Sequence, residues 1–79
     1  MQKKYSTKEK EFLKKVGNRI RELRLKSGLS QEKLAFASSL DRTYIGSVER
    51  GERNISVINL NKISTALNIN SFELLKIIE

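Results

Sequence analysis

Arg42, Thr43, Gly46, Ser47 and Arg50 recur at helical steps of one, three, one and three residues, spacing that gathers them on one face of a helix. Their side chains suit the reading of base edges. An arginine donates two parallel N–H bonds to O6 and N7 of guanine, and a threonine methyl packs on the methyl of thymine. Arg42 opens this face and is the prime candidate for direct readout. Gly46 lies one turn later and costs about 1 kcal/mol relative to alanine inside a helix. Its missing side chain would let the helix come closer to a groove floor; relief of crowding in a small domain is the alternative.

Composition removes most other chemistry. The 79 residues contain no cysteine and no histidine, which excludes disulfides, zinc fingers, thiol or imidazole nucleophiles and histidine acid–base work. No glycine-rich phosphate loop, metal-ligand cluster or nucleophile–base constellation is present, so no enzyme, metal or cofactor is expected. Sixteen Lys and Arg against nine Asp and Glu give a formal charge of +7, which favours an anionic partner such as nucleic acid or an acidic membrane. Residues 1–26 hold ten basic and three acidic side chains, so the entire excess lies in the first third of the chain. That stretch reads either as a solvated lysine-rich helix or as a phosphate-seeking arm. A membrane role suits it less, because its apolar face is needed for the core. The absence of a long apolar run predicts no signal peptide or membrane span and a cytoplasmic location.

The elements that must hold the reading face follow from apolar periodicity. Phe12, Leu13, Val16, Ile20 and Leu23 form the stripe of a first helix over about 8–26, with Ser6 and Glu9 as a capping box and Gly28 as a left-handed stop. Gly17 interrupts that helix: either residues 3–16 form a separately ordered extension, or another helix crosses closely there. Ser30 caps a second helix through Leu34 and Ala37, with Glu32 in its first turn. Asp41 caps a third over about 42–50, with Ile45 and Val48 inward and Gly51 at its end. Ser56 opens a fourth, carrying Leu60, Ile63 and Leu67 and ending at Asn68; Asn70 or Ser71 opens a fifth. No segment alternates with period two, so the fold class is all-α, a single five-helix domain over 1–79. The second and third helices are too short to bury their stripes alone and must pack steeply on each other as a helix-turn-helix over 30–51.

With these elements in place, "LSQEKLA", "LDRTYIGSVERGERN" and "LNKISTALNIN" are similar to the Cro/CI-type, XRE-like helix-turn-helix regulators over about residues 17–75. "LDRTYI" followed by "ERGERN" resembles, within that family, the controller proteins of restriction-modification systems. The resemblance implies a compact lambda-repressor-like domain that regulates transcription as a homodimer on pseudo-palindromic double-stranded DNA, with controllers acting on their own promoter. A phage-type repressor, or an antitoxin working through protein–protein contact, is the alternative. It further implies that Arg42, Thr43, Ser47 and Arg53 read bases, and that Gln31, Tyr44, Arg50 and Asn54 meet the backbone. Arg24 and Glu49 match a recurring buried ion pair. Ser39 departs from the pattern, standing where the family usually has glycine in the turn, whereas the small Ala35 is retained.

Phe72, Leu74, Leu75, Ile77 and Ile78 crowd the last helix, over 70–79, with more apolar bulk than one narrow stripe buries. They are the expected dimer interface; completion of the monomer core is the other reading. Activation would also need a surface for RNA polymerase, with Glu49 and Glu52 as its acidic candidates. The basic segment 1–16 follows the DNA backbone, supports the dimer, or does neither.

Overall fold

Four of five helices start where a side-chain oxygen caps the first turn. The computed structural model describes residues 4–76, which form α1 (Thr7–Lys26), α2 (Gln31–Ser38), α3 (Arg42–Glu49), α4 (Val57–Ala66) and α5 (Ser71–Leu74), with no strand among them. Ser6, Ser30 and Ser56 each accept from the backbone N–H three residues on, at 3.1 Å. Asn70 accepts from Glu73 N at 2.8 Å, and Glu9 returns the bond to Ser6 N at 2.8 Å, closing the capping box. Asp41 occupies the N-cap position of α3 with extended backbone, but its carboxylate makes no capping bond. The start of α3 is fixed instead by the turn before it.

That turn belongs to a pattern repeated at four helix ends. Gly28, Ser39, Gly51 and Asn68 all adopt left-handed backbone, with φ of 74°, 60°, 78° and 62°. In each case the next N–H reaches back five residues: Leu29 to Arg24 O, Leu40 to Ala35 O, Glu52 to Ser47 O and Ile69 to Ser64 O, at 2.9–3.1 Å. This satisfies carbonyls that a helix end leaves open and turns the chain sharply. Ser39 keeps the geometry without glycine, at a conformational cost of about 1–2 kcal/mol.

The helices are short, so packing rather than propensity holds them. α3 packs against α1 and α2, α4 against α2 and α5, and α5 returns to α1. Val16, Ile20, Leu34, Ala35, Ile45, Val48, Leu60, Ile63, Leu67 and Leu74 form one buried cluster. Arg19 adds a bond from its guanidinium to Glu73 O, at 3.1 Å, between α1 and α5. Leu74 is fully buried, so it is a core residue and not part of an exposed dimer surface. Phe72 is 71% exposed and Leu75 38%. Ile77 and Ile78 lie outside the described residues.

α1 runs unbroken through Gly17, so residues 7–16 are its first turns and not a separate extension. The glycine is a crossing point. A Cβ there would overlap the Val48 carbonyl oxygen and stand 2.7 Å from that of Glu49. Both obstacles are backbone, which has no rotamer to move aside. Gly17→Ala is therefore expected to destabilise the domain by at least about 1–3 kcal/mol through overpacking, despite the higher helix propensity of alanine. Urea unfolding followed by circular dichroism measures this, and a variant as stable as the parent would refute the crossing constraint.

Candidate nucleic-acid interface

The local geometry of α3 divides its side chains. Ile45 and Val48 are buried against α1 and α2, whereas Arg42, Thr43 and Arg50 are exposed. Two residues expected on the open face are not there. Ser47 is only 6% exposed; its hydroxyl donates to Tyr44 O at 2.9 Å and accepts from Arg53 Nε at 3.2 Å. Gly46 is buried beneath two side chains: a Cβ there would stand 3.3 Å from Arg50 Nη1 and 3.6 Å from Gln31 Oε1. The glycine lets Gln31 and Arg50 converge over α3, so the space it leaves is filled by the protein's own polar groups.

Each arginine at this surface is held differently. Arg50 makes a two-pronged pair with Glu52, Nε to Oε2 at 3.0 Å and Nη2 to Oε1 at 3.1 Å. Hydrogen bonding from Arg50 holds the Glu52 carboxyl pKa below its ordinary value. Arg53 lies over the Tyr44 ring, 5.5 Å from its centroid, while its Nε donates to Ser47 Oγ at 3.2 Å. The Tyr44 hydroxyl in turn accepts from Asn59 Nδ2 at 3.2 Å, so α4 steadies the ring on which Arg53 rests. Asn54 is exposed just beyond. Sequence reasoning missed Glu52 and Asn59 in these supporting roles. Fifteen positions separate Asn59 from Tyr44, and no local pattern links them.

Beneath the surface sits the ion pair. Arg24 Nε donates to Glu49 Oε2 at 2.6 Å and Nη2 to Oε1 at 3.0 Å, while Nη1 donates to Leu29 O at 2.9 Å. Both side chains are over nine-tenths buried. Gln31 Nε2 also donates to Glu49 Oε1 at 3.0 Å, so the first residue of α2 is oriented by a carboxylate on the last residue of α3. Its burial removes Glu49 as a polymerase-facing acid; Glu52 is exposed but engaged by Arg50. Gln31 and Arg42 line one open polar cleft with Ser30 and Glu32, bringing the starts of α2 and α3 together. A helix start favours phosphate and an arginine favours guanine. Among the described residues, no group of three or more acidic side chains is placed to hold a metal, and no helix is long and apolar enough to cross a membrane.

A helix-turn-helix family profile matches residues 20–74. The control protein C.BamHI of Bacillus amyloliquefaciens is 53% identical over 60 residues, covering 75% of this chain and 74% of that protein. The chain belongs to the helix-turn-helix family, among the restriction-modification control proteins. The controller C.AhdI from Aeromonas hydrophila superposes with a TM-score of 0.77 at 60% identity, covering 78% of this chain and 94% of that one. The controller C.Esp1396I, solved as a tetramer in complex with its natural 35 base-pair operator, superposes with a TM-score of 0.74 at 42% identity, covering 81% and 88%. Membership makes the chain a DNA-binding transcription regulator.

Because Arg24 and Glu49 are buried together, removing one strands the other. Arg24→Ala is expected to cost about 3–5 kcal/mol of stability. The double change Arg24→Met with Glu49→Leu, which leaves no charge unpaired, is expected to lose far less. Thermal unfolding of the three proteins decides the matter: an Arg24→Ala melting temperature equal to the parent would remove this pair from its structural role.

Proposed function

We propose that this regulator binds as a homodimer to a pseudo-palindromic operator beside its own coding region and controls that promoter. It works in the cytoplasm by recognition, without catalysis or cofactor. The observation that carries the reading is the convergence of exposed Arg42 and Thr43 on α3 with Gln31 at the start of α2, Arg50 at the end of α3 and Arg53 and Asn54 beyond it. In this reading α3 enters the major groove. Arg42 and Thr43 meet base edges, and Arg53 reaches a base with the two Nη groups that Ser47 leaves free. Gln31, Tyr44, Arg50 and Asn54 grip the backbone. Ser47 and Gly46 serve from beneath, the first by holding Arg53 and the second by admitting Gln31 and Arg50. The operator complex of C.Esp1396I supports this assignment by likeness of fold and sequence.

A second copy would cover part of the apolar surface left outside. Phe72 and Leu75 near the C-terminus, together with Val57 at 81% and Ile58 at 69% exposure on α4, are large and unburied. A two-fold contact through them would set two recognition helices about 34 Å apart, one turn of DNA. The domain organisation is then one unit, with the helix-turn-helix at 30–51 reading DNA and the end of the chain pairing the copies. A polymerase-contacting surface would be required only for activation.

Footprinting on the DNA upstream of the coding region is expected to show two symmetric protected half-sites. Equal affinity for that DNA and a shuffled duplex would refute the reading. Arg42→Ala is expected to lower operator affinity by about 1–3 kcal/mol and relax preference at one base pair in each half-site, measured by fluorescence anisotropy on single-base variants. Phe72→Glu is expected to shift sedimentation toward the monomer, and a parent that stays monomeric at high concentration would remove the dimer.

A further inference from the structure

The helix-turn-helix match begins at residue 20, yet α1 begins at Thr7, and the turns before the match hold Lys8, Lys10, Lys14 and Lys15, all exposed. Where these lysines point follows from what lies across the helix. Thr7, Lys10, Lys14, Gly17 and Arg21 are spaced three or four residues apart and so share one stripe. At Gly17 that stripe meets the last carbonyls of α3. At Lys14 it meets the loop after α3: a Cβ on Gly51 would stand 2.6 Å from Lys14 Cγ and 2.8 Å from its Cα. The same loop reaches across to Asn54, which shares a cleft with Tyr5 just before α1 and with Lys8, Glu9, Phe12 and Leu13 on the neighbouring side of α1. The loop therefore lies over α1, with Arg50 and Arg53 exposed on it and Asn54 at the rim of its cleft with α1.

One turn before the loop, the stripe emerges uncovered at Lys10. Lys10 is exposed there, on the same face of α1 that the loop covers at Lys14. The Glu9 carboxylate accepts from Ser6 N at the start of the helix. Glu11 sits on the flank, one turn from Lys15.

We infer that the first turns of α1 extend the DNA interface: Lys10 and Lys14 contact the phosphodiester backbone just beyond the stretch gripped by the loop 51–54. This rests on the DNA-binding reading above and adds affinity without sequence preference, since phosphates are alike along a duplex. Lys14 also packs beneath Gly51, so Lys10 is the cleaner probe.

The test compares the full-length protein with Lys10→Gln/Lys14→Gln, Lys10→Gln alone, and the charge-matched control Lys15→Gln/Lys62→Gln, whose exposed lysines lie off the stripe and on α4. Affinity for the upstream duplex and for a shuffled duplex is measured across a salt series, with melting curves confirming that each variant is folded. The slope of log affinity against log salt is expected to fall by about 0.9 for each phosphate contact removed, and so by about twice that for each stripe position substituted in a dimer. The fall should be equal on both duplexes, and the control should keep the parent slope. Equal slopes for the stripe and control variants would overturn the inference. So would binding of the parent's α1 to vesicles containing anionic lipid with no slope change on DNA. The parent's preference for the upstream over the shuffled duplex reports separately on the proposed function. Loss of that preference with the slope difference retained would leave the phosphate-contacting stripe standing.

Discussion

Glu49 is the point at which the core and the surface of this protein are tied together. Its carboxylate accepts from two nitrogens of Arg24 and from the Gln31 amide, so one buried charge joins α1, α2 and α3. Arg24 also binds Leu29 O, fixing the chain just before α2 begins. A pure hydrocarbon contact would hold these helices together with less control of their relative rotation, because apolar packing is non-directional. A two-pronged arginine–carboxylate pair fixes angle as well as distance. Rotation matters here, since a modest turn of α3 about its axis would exchange Arg42 and Thr43 for Ile45 at the surface.

Orientation is further enforced by how the helices stop. Four successive ends use one left-handed residue and one N–H reaching back five positions. Each turn is thus set by backbone bonding, and the side chains between helices are left for other uses. This explains why Asp41 is free of a capping bond: Leu40 N on Ala35 O already determines where α3 begins. Ser39 shows the strength of that constraint, because the conformation persists where the residue type disfavours it.

The parts of this structure that local rules govern were legible in the sequence. Ser6, Ser30, Ser56 and Asn70 announce helix starts through their short oxygen-bearing side chains, and Val16–Ile20, Ile45–Val48 and Leu60–Ile63–Leu67 give the core, whereas Phe12, read as the start of the first stripe, is 44% exposed. What spacing alone misjudged were residues near a boundary between faces. Ser47 is equally suited by size and polarity to groove or interior, and its place is decided by Arg53, six residues away. Gly46 is outward by angle but covered by Gln31 from another helix. Leu74 and Phe72 differ by only two positions, so a dense apolar segment could not be divided into core and surface without knowing where α1 and α4 lie. In each case the deciding contact is tertiary.

The remaining question is why so many polar bonds surround the arginines of one small surface. A free arginine side chain carries about 2 kcal/mol of rotamer entropy, part of which is lost on binding. Arg53, stacked on Tyr44 and bonded to Ser47, has already lost part of it in the free protein, and Arg50, in an exposed pair with Glu52, has lost less. Among the described contacts Arg42 has no such support. The two supported arginines flank the loop after α3, where in the proposed complex Arg50 grips the backbone and Arg53 reaches a base. The unsupported one stands at the start of α3 and would be ordered only on meeting its base edge. Placement in advance therefore serves both proposed roles, grip and reading, and Arg42 would lose the most freedom on binding. The exposure of Arg42 itself depends on the rotation of α3 set by Glu49.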